Sequence, residues 1–216
     1  MTVYVDSADR RDIHAAAQLG FVKGVTTNPS LMRTVTDDPL RHLKELLTGE
    51  ELTEFYYQPC GAYADLREEA EAAWSLAPGR VIVKSPATPG GVALASRLAA
   101  RGVPVALTAA QTPNAMIVAE ATGCVAVIPY VDRAWRDPRT ENELVAALAR
   151  VRRGTTRIVA ASVKNAGQFT RAFSDGADAV TAPLAVLRQV LDHPSALEAE
   201  RDFAAEYRAE RAGEGA

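Results

Sequence analysis

Cysteine is almost missing from this chain. Cys60 and Cys124 are too few and too far apart for a disulfide framework or a thiolate metal site. Histidine is nearly as scarce. His14, His42 and His193 are scattered, with no HxH or HxxxH pair, so no metal site is expected. No apolar run reaches the roughly 18 residues of a membrane span. There is no basic block, and 24 Lys and Arg stand against 27 Asp and Glu, a formal charge of −3. That balance argues against general binding to nucleic acid or to a membrane surface. The run Met1-Thr2-Val3-Tyr4-Val5-Asp6 lacks the basic start and long apolar core of a secretion signal, so a cytoplasmic protein is expected. Linkers, low-complexity tracts and composition breaks are absent too. Lysine is the last shortage: of 24 basic residues, only Lys23, Lys44, Lys84 and Lys164 are lysines. Arginine holds its proton at any usable pH and lysine need not, so each retained lysine draws attention.

What is present is an ordinary globular composition, 48% hydrophobic and 24% charged over 216 residues. Short runs rich in Val, Ile, Tyr and Thr recur at 3–6, 24–27, 54–58, 81–84, 103–107, 124–128, 157–161 and 179–181, as strands do. Helical candidates with apolar spacings of three and four lie between them, at 8–19, 39–47, 62–76, 89–101, 111–120, 141–152, 166–174 and 183–191. Asp38-Pro39 and Thr88-Pro89 read as helix starts, and Gly102 and Gly176 as helix ends. A charged amphipathic run, 196–211, closes the chain. Eight strand–helix units in succession predict a closed (β/α)8 TIM barrel of the α/β class. One domain is expected over 1–216, with 195–216 as a C-terminal helical arm. An open doubly wound sheet would show a Gly-rich first turn; this one is Asp6-Ser7-Ala8-Asp9.

Barrel chemistry sits at the C-terminal strand ends. In order these carry Asp6, Thr26-Thr27-Asn28, Gln58, Lys84, Thr108, Tyr130 with Arg133, Ser162 with Lys164, and Thr181. Lys84 shares a strand face with Ile82, so it points into an apolar environment on either side of the sheet. A buried ammonium is costly, so its pKa falls or an anion pairs with it. A neutral amine there attacks carbonyls to form a Schiff base. The competing reading is a lysine that snorkels to the rim or pairs with Asp6. Asn28 either recognises hydroxyls or caps the next segment. Tyr130 either shuttles protons or packs with its hydroxyl satisfied. Gln58 and Thr108 either hold a water or satisfy backbone. Arg133, Ser162 and Lys164 suit a phosphate, or the two cations are solvated rim charges.

These segments together resemble the transaldolase family, particularly its small fructose-6-phosphate aldolase branch. The matching runs are Tyr4-Val5-Asp6-Ser7, Gly24-Val25-Thr26-Thr27-Asn28-Pro29-Ser30, Val81-Ile82-Val83-Lys84-Ser85-Pro86, Pro129-Tyr130-Val131-Asp132-Arg133 and Ala160-Ala161-Ser162-Val163-Lys164. The resemblance implies a Schiff base between Lys84 and a ketose carbonyl, followed by C3–C4 cleavage to an enamine derived from dihydroxyacetone. It implies that Asp6 deprotonates the C4 hydroxyl and that Asn28, beside Thr26, binds hydroxyls of the three-carbon donor. Arg133, Ser162 and Lys164 match phosphate-binding positions. No metal or organic cofactor is implied, because the lysine supplies the electron sink. Gln58 and Tyr130 match the aldolase branch; transaldolases proper resemble one another in Glu and Phe there. The resemblance further implies a ring-like homo-oligomer, a pentamer or decamer, joined through the C-terminal arm.

Three segments depart from the family pattern: Ser85, Pro59-Cys60, and 134–139. All three are expected near the pocket mouth, where they would alter the anionic sugar accepted, a sulfonated one included. The expected activity is a class I aldolase acting on a small-molecule sugar phosphate such as fructose 6-phosphate. The first alternative is a transaldolase that moves dihydroxyacetone from sedoheptulose 7-phosphate or fructose 6-phosphate to an aldose phosphate, as in the pentose phosphate pathway. The second is a barrel that binds sugar phosphates without catalysis.

Overall fold

The computed structural model describes residues 1–49, 52–61, 64–137, 139 and 143–213. Eight parallel strands close into a barrel in chain order: β1 (Thr2–Asp6), β2 (Val22–Thr26), β3 (Glu54–Tyr57), β4 (Val81–Pro86), β5 (Val105–Ala110), β6 (Ala126–Pro129), β7 (Arg157–Ala160) and β8 (Ala179–Ala182). β1 pairs with β8 to close the ring. Around them run α1 (Arg10–Ala17), α2 (Pro29–Arg33), α3 (Pro39–Gly49), α4 (Leu66–Ser75), α5 (Pro89–Ala99), α6 (Asn114–Ala121), α7 (Val131–Arg136), α8 (Leu144–Val151), α9 (Ala166–Ser174), α10 (Leu184–Gln189) and α11 (Pro194–Gly213). The expected (β/α)8 barrel with a C-terminal helix is therefore the observed fold. The starts of two expected helices, at 62 and 141, and the end of the expected arm lie outside the described residues.

Local chemistry explains the punctuation. The side chains of Asp9, Asn28, Asp38, Asp65, Thr88 and Asn165 each accept a backbone N–H at the first turn of the helix that follows. Gly102 and Gly176 adopt positive φ, +81° and +101°, just past α5 and α9. Two short helices were not foreseen. α2 is five residues long and α7 six, too short for an apolar repeat to register. α7 also follows β6 with only Tyr130 between them. α6 begins later than expected because Pro113 occupies its cap. β5 runs on past its expected end through a bulge at Ala109, after which Ala110 pairs with Pro129.

The core has two layers. The larger lies between the outer strand faces and the helices. The smaller fills the barrel and includes Tyr4, Tyr56, Ile82, Ala106, Ala126, Ile128 and Val159. The barrel floor is polar. Glu54 and Arg157 pair there through bonds of 2.9 and 3.1 Å, and Tyr4 and Tyr56 donate to Glu54 at 2.7 and 3.2 Å. Gly24 makes room for this floor: a Cβ there would come within 2.2 Å of the Glu54 carbonyl oxygen and 3.0 Å of the Tyr4 ring. Among the described residues, no helix is long and apolar enough to cross a membrane.

Candidate active site

The period of two along each strand decides what enters the barrel. On β4, Val81 and Val83 belong to the outer layer and Ile82 to the inner one, so Lys84 points inward. Asp6 follows Tyr4 in the same way, Gln58 follows Tyr56, Thr108 follows Ala106, and Tyr130 follows Ile128. They meet above the apolar layer, at the end opposite the ionic floor. Asp6, Thr26, Asn28, Gln58, Lys84, Tyr130, Arg133, Ser162 and Lys164 line one cavity of about 470 Å³. Thr108 does not line it. It is buried just behind, with its hydroxyl 3.5 Å from that of Tyr130.

Lys84 is 4% exposed, and its Nζ donates to the Thr27 carbonyl at 2.6 Å. Burial lowers its pKa from 10.5 to about 8, while the Asp6 carboxylate and the Cys60 thiol act in the opposite sense. About a quarter of the side chains are then neutral at pH 7.5, against about one in a thousand for an ordinary lysine. The Thr27 carbonyl takes an N–H and leaves the lone pair of the neutral amine for an electrophile.

Asp6 is steadied by a hydroxyl relay. Thr26 donates to Asp6 Oδ1 at 2.7 Å, and the Thr181 hydroxyl lies 2.7 Å from that of Thr26. Thr26 has one proton and gives it to the carboxylate, so Thr181 is the donor in the second bond. Asn28 satisfies both of its readings. Its carboxamide oxygen accepts the Leu31 N–H at 3.0 Å and caps α2, and its side chain still lines the cavity. The NH2 is what it has left to offer a ligand.

The cationic side of the cavity is built from two strand–helix units. Arg133 stands in α7, with its guanidinium 4.9 Å above the Tyr130 ring. Ser162 and Lys164 lie on the loop between β7 and α9. Ser162 has φ +63° and Ala109 has φ +58°, the two positive-φ residues other than glycine among those described. Both line the cavity. A left-handed backbone costs a non-glycine residue about 1–3 kcal/mol, and here that strain sits at the mouth.

Several lining residues were not singled out as site residues. Thr181 and Ser30 carried a signal: Thr181 ends a strand with a polar group, and Ser30 belongs to the polar run after β2. Ala109 and Ile128 carried none. The departures from the family pattern are placed differently from expectation. Ser85 is fully buried on the outer face of β4, one residue out of phase with Lys84, and donates to the Gly91 carbonyl on α5 at 2.7 Å. Cys60 lines a neighbouring cavity of about 410 Å³ beside Arg33 and Asp37, not this one. Trp135 lies under the Arg171 guanidinium, 4.5 Å from ring to cation, and does not line the cavity. Among the described residues, no three His, Cys, Asp or Glu side chains gather as metal ligands would.

Comparison with known proteins gives relatives of the whole chain. The family model described as Transaldolase/Fructose-6-phosphate aldolase matches residues 3–214. A probable transaldolase of Exiguobacterium sibiricum is 30% identical over 212 residues, which cover 96% of this chain and 98% of that one. A probable transaldolase of Symbiobacterium thermophilum is 31% identical over 203 residues, 90% of this chain and 91% of the other. A crystal structure of 3-hexulose-6-phosphate synthase superposes with a TM-score of 0.64 over 88% of this chain and 97% of that one. At 16% identity that likeness is one of fold.

Proposed function

We propose that this chain, which belongs to the transaldolase/fructose-6-phosphate aldolase family, is a class I aldolase that reversibly cleaves the C3–C4 bond of a ketose phosphate such as fructose 6-phosphate. The observation that carries this reading is the Lys84 amine, buried inside the barrel, part neutral near pH 7.5 and aimed into a cavity with a cationic rim.

The neutral Lys84 amine attacks the ketose C2. Loss of water gives an iminium, which withdraws electrons from C3. Asp6 takes the proton of the C4 hydroxyl, the C3–C4 bond breaks, and its electron pair moves into the iminium to leave an enamine. The aldehyde half, glyceraldehyde 3-phosphate, departs. Protonation of the enamine at C3 and hydrolysis then free dihydroxyacetone and Lys84. Tyr130, with Thr108 behind it, is the proposed proton donor to C3. Gln58 holds the hydrolytic water, with Thr108 assisting. Asn28 and Thr26 belong to the donor side, where Asn28 binds hydroxyls through its NH2. Arg133, Ser162 and Lys164 take the phosphate of the aldehyde half.

A second reading is favoured by the names of the relatives. In a transaldolase the enamine waits and attacks another aldose phosphate. The Gln58 and Tyr130 pair supports free release over transfer. We further read the chain as a cytoplasmic homo-oligomer with α11 reaching a neighbouring subunit; its exposed Phe203 and Tyr207 support that placement.

The test adds fructose 6-phosphate alone and follows glyceraldehyde 3-phosphate. Steady release over many turnovers is expected. A burst of about one equivalent per site that then stops identifies the transferase. Borohydride trapping that leaves Lys84 unmodified across a panel of ketoses overturns both readings and leaves a binding barrel.

A further inference from the structure

The cationic rim is assembled from parts that the chain does not join. Arg133 comes from α7 after β6, and Ser162 and Lys164 come from the loop after β7. Two like charges on separate segments spread apart unless something holds them. At their bases the Val131 N–H donates to the Ala161 carbonyl at 3.0 Å, and farther out Arg171 of α9 lies over Trp135 of α7; beside Lys164 itself the link is a side chain of α9. Gln168, in the first turn of α9, accepts the Lys164 backbone N–H through Oε1 at 2.7 Å. Through Nε2 it donates to Asp132 Oδ1 on α7 at 3.1 Å. Asp132 is buried, and its other oxygen is held by Arg136. The partners fix the orientation of the amide, because Asp132 as a carboxylate only accepts and a backbone N–H only donates. Gln168 is itself held where its own N–H meets the Asn165 cap at 2.9 Å.

We infer that Gln168 is a positioning residue for the anion subsite, a strut that sets the distance between Arg133 and the Ser162–Lys164 loop and so selects substrates with a terminal phosphate. The inference rests on the reading of the rim as a phosphate site, and it does not depend on the Schiff base. The chemistry of the bridge admits few substitutes. A leucine loses both bonds. A glutamate keeps the Lys164 bond but sets a second carboxylate against Asp132. The pair Gln168→Glu with Asp132→Asn reverses the polarity of the bridge and restores it. The introduced carboxylate accepts from Lys164 and from the introduced amide, whose oxygen still faces Arg136. Net charge is unchanged.

The experiment titrates inorganic phosphate into the full-length wild type, Gln168→Leu, Gln168→Glu and the double variant by calorimetry. It also compares KM and kcat for fructose 6-phosphate. Each single variant is expected to bind phosphate roughly tenfold more weakly or worse: the leucine loses two hydrogen bonds, one of them to a carboxylate, and the glutamate loses the bond to Asp132 and repels it. KM should rise in step, with kcat changing less than threefold. The double variant is expected to return to within about threefold of wild type. Single variants that bind phosphate as tightly as wild type overturn the inference. So does a double variant as weak as the singles, which would make the site merely sensitive to packing. A wild type that does not bind phosphate removes the subsite and the inference with it. Borohydride trapping with dihydroxyacetone, which carries no phosphate, separates the two proposals. If the phosphate pattern holds but Lys84 is never trapped, the aldolase reading falls and the strut stands.

Discussion

Replacing Lys84 by methionine should abolish catalysis and make the protein more stable near neutral pH. The fold holds this amine at a pKa of about 8 instead of 10.5 because burial disfavours the charged form. A difference of that size corresponds to about 3 kcal/mol between protonation states. The sign follows from linkage. Between pH 8 and 10.5 the unfolded lysine keeps a proton that the folded one has released, so stability rises with pH across that window. Below pH 8 both states are protonated and the full burial cost applies; above 10.5 neither is, and the cost is gone. Methionine fills a similar volume without a charge but gives up the 2.6 Å bond to the Thr27 carbonyl, worth about 1 kcal/mol. The expected net gain is about 2 kcal/mol at pH 7, shrinking as pH rises through 8 and reversing by about 10.5. Urea unfolding of parent and variant at pH 7, 8.5 and 10 measures it, since only the difference between the two curves is needed. A variant that is less stable than its parent at pH 7, or a gap that does not change with pH, refutes the argument that desolvation sets the state of this amine.

Three further outcomes follow from the same geometry. Asp6→Asn should still be trapped at Lys84 by borohydride but lose aldehyde release by about 10²–10⁴-fold, the usual contribution of a positioned base. Because the Asp6 carboxylate raises the Lys84 pKa, its removal should also move the acid limb of trapping to lower pH; a limb that moves upward contradicts this. Tyr130→Phe should slow steady release from fructose 6-phosphate by about 10- to 100-fold while transfer to an added aldose phosphate persists, so the ratio of the two rates is the readout. Glu54→Gln should cost about 2 kcal/mol by urea unfolding, because Arg157 loses its charged partner in a site only about a quarter exposed. Its kcat should stay within a factor of about two, since the floor lies at the far end of the barrel from Lys84.

Much of this architecture was legible because strand ends in a barrel are also site positions. Once eight short apolar runs are counted, their terminal residues give most of the cavity wall. Whether Lys84 faced the interior or the helices was not legible, because both surroundings are apolar. The inner cluster around Ile82 decides it. Ser85 shows the same rule from the other side: one step along the strand takes it out of the pocket and into contact with α5. α2 and α7 escaped detection through brevity, and α7 carries Arg133, so the cationic rim could be named from sequence but not built. Ala109 could not be found at all, since its role is a left-handed backbone turn that alanine does not advertise. Gln168 lay inside an expected helix and looked like any polar surface residue. Its meaning comes from Asp132, 36 positions away.

The two ends of the barrel treat buried charge in opposite ways, and the contrast accounts for the lowered pKa of Lys84. At the floor, desolvation pushes against ionising Glu54, yet hydrogen bonds from Arg157, Tyr4 and Tyr56 and the charge of Arg157 bring its pKa below the ordinary carboxylate value. Desolvation likewise opposes the charge on Arg157, and its bonds to Glu54 more than offset it. Tyr4, desolvated and bonded to that carboxylate, is pushed up to about 12 and stays a phenol. Every group there is locked in one protonation state. At the other end Lys84 is given a neutral carbonyl as its bonded partner, and Asp6 is already engaged by Thr26. Desolvation is therefore left largely unopposed, and the amine titrates where it can be used. Supplying Lys84 with a nearby carboxylate, as Cys60→Asp does at a side chain that already acts on this amine, should return its pKa toward 10 and slow trapping at pH 7 by about 10- to 100-fold. The pH at which borohydride trapping with dihydroxyacetone reaches half its maximum measures this. A midpoint that stays near 8 in a folded variant shown to place the carboxylate beside Nζ would mean that satisfaction by partners does not govern which buried charges in this barrel are fixed and which are free to react.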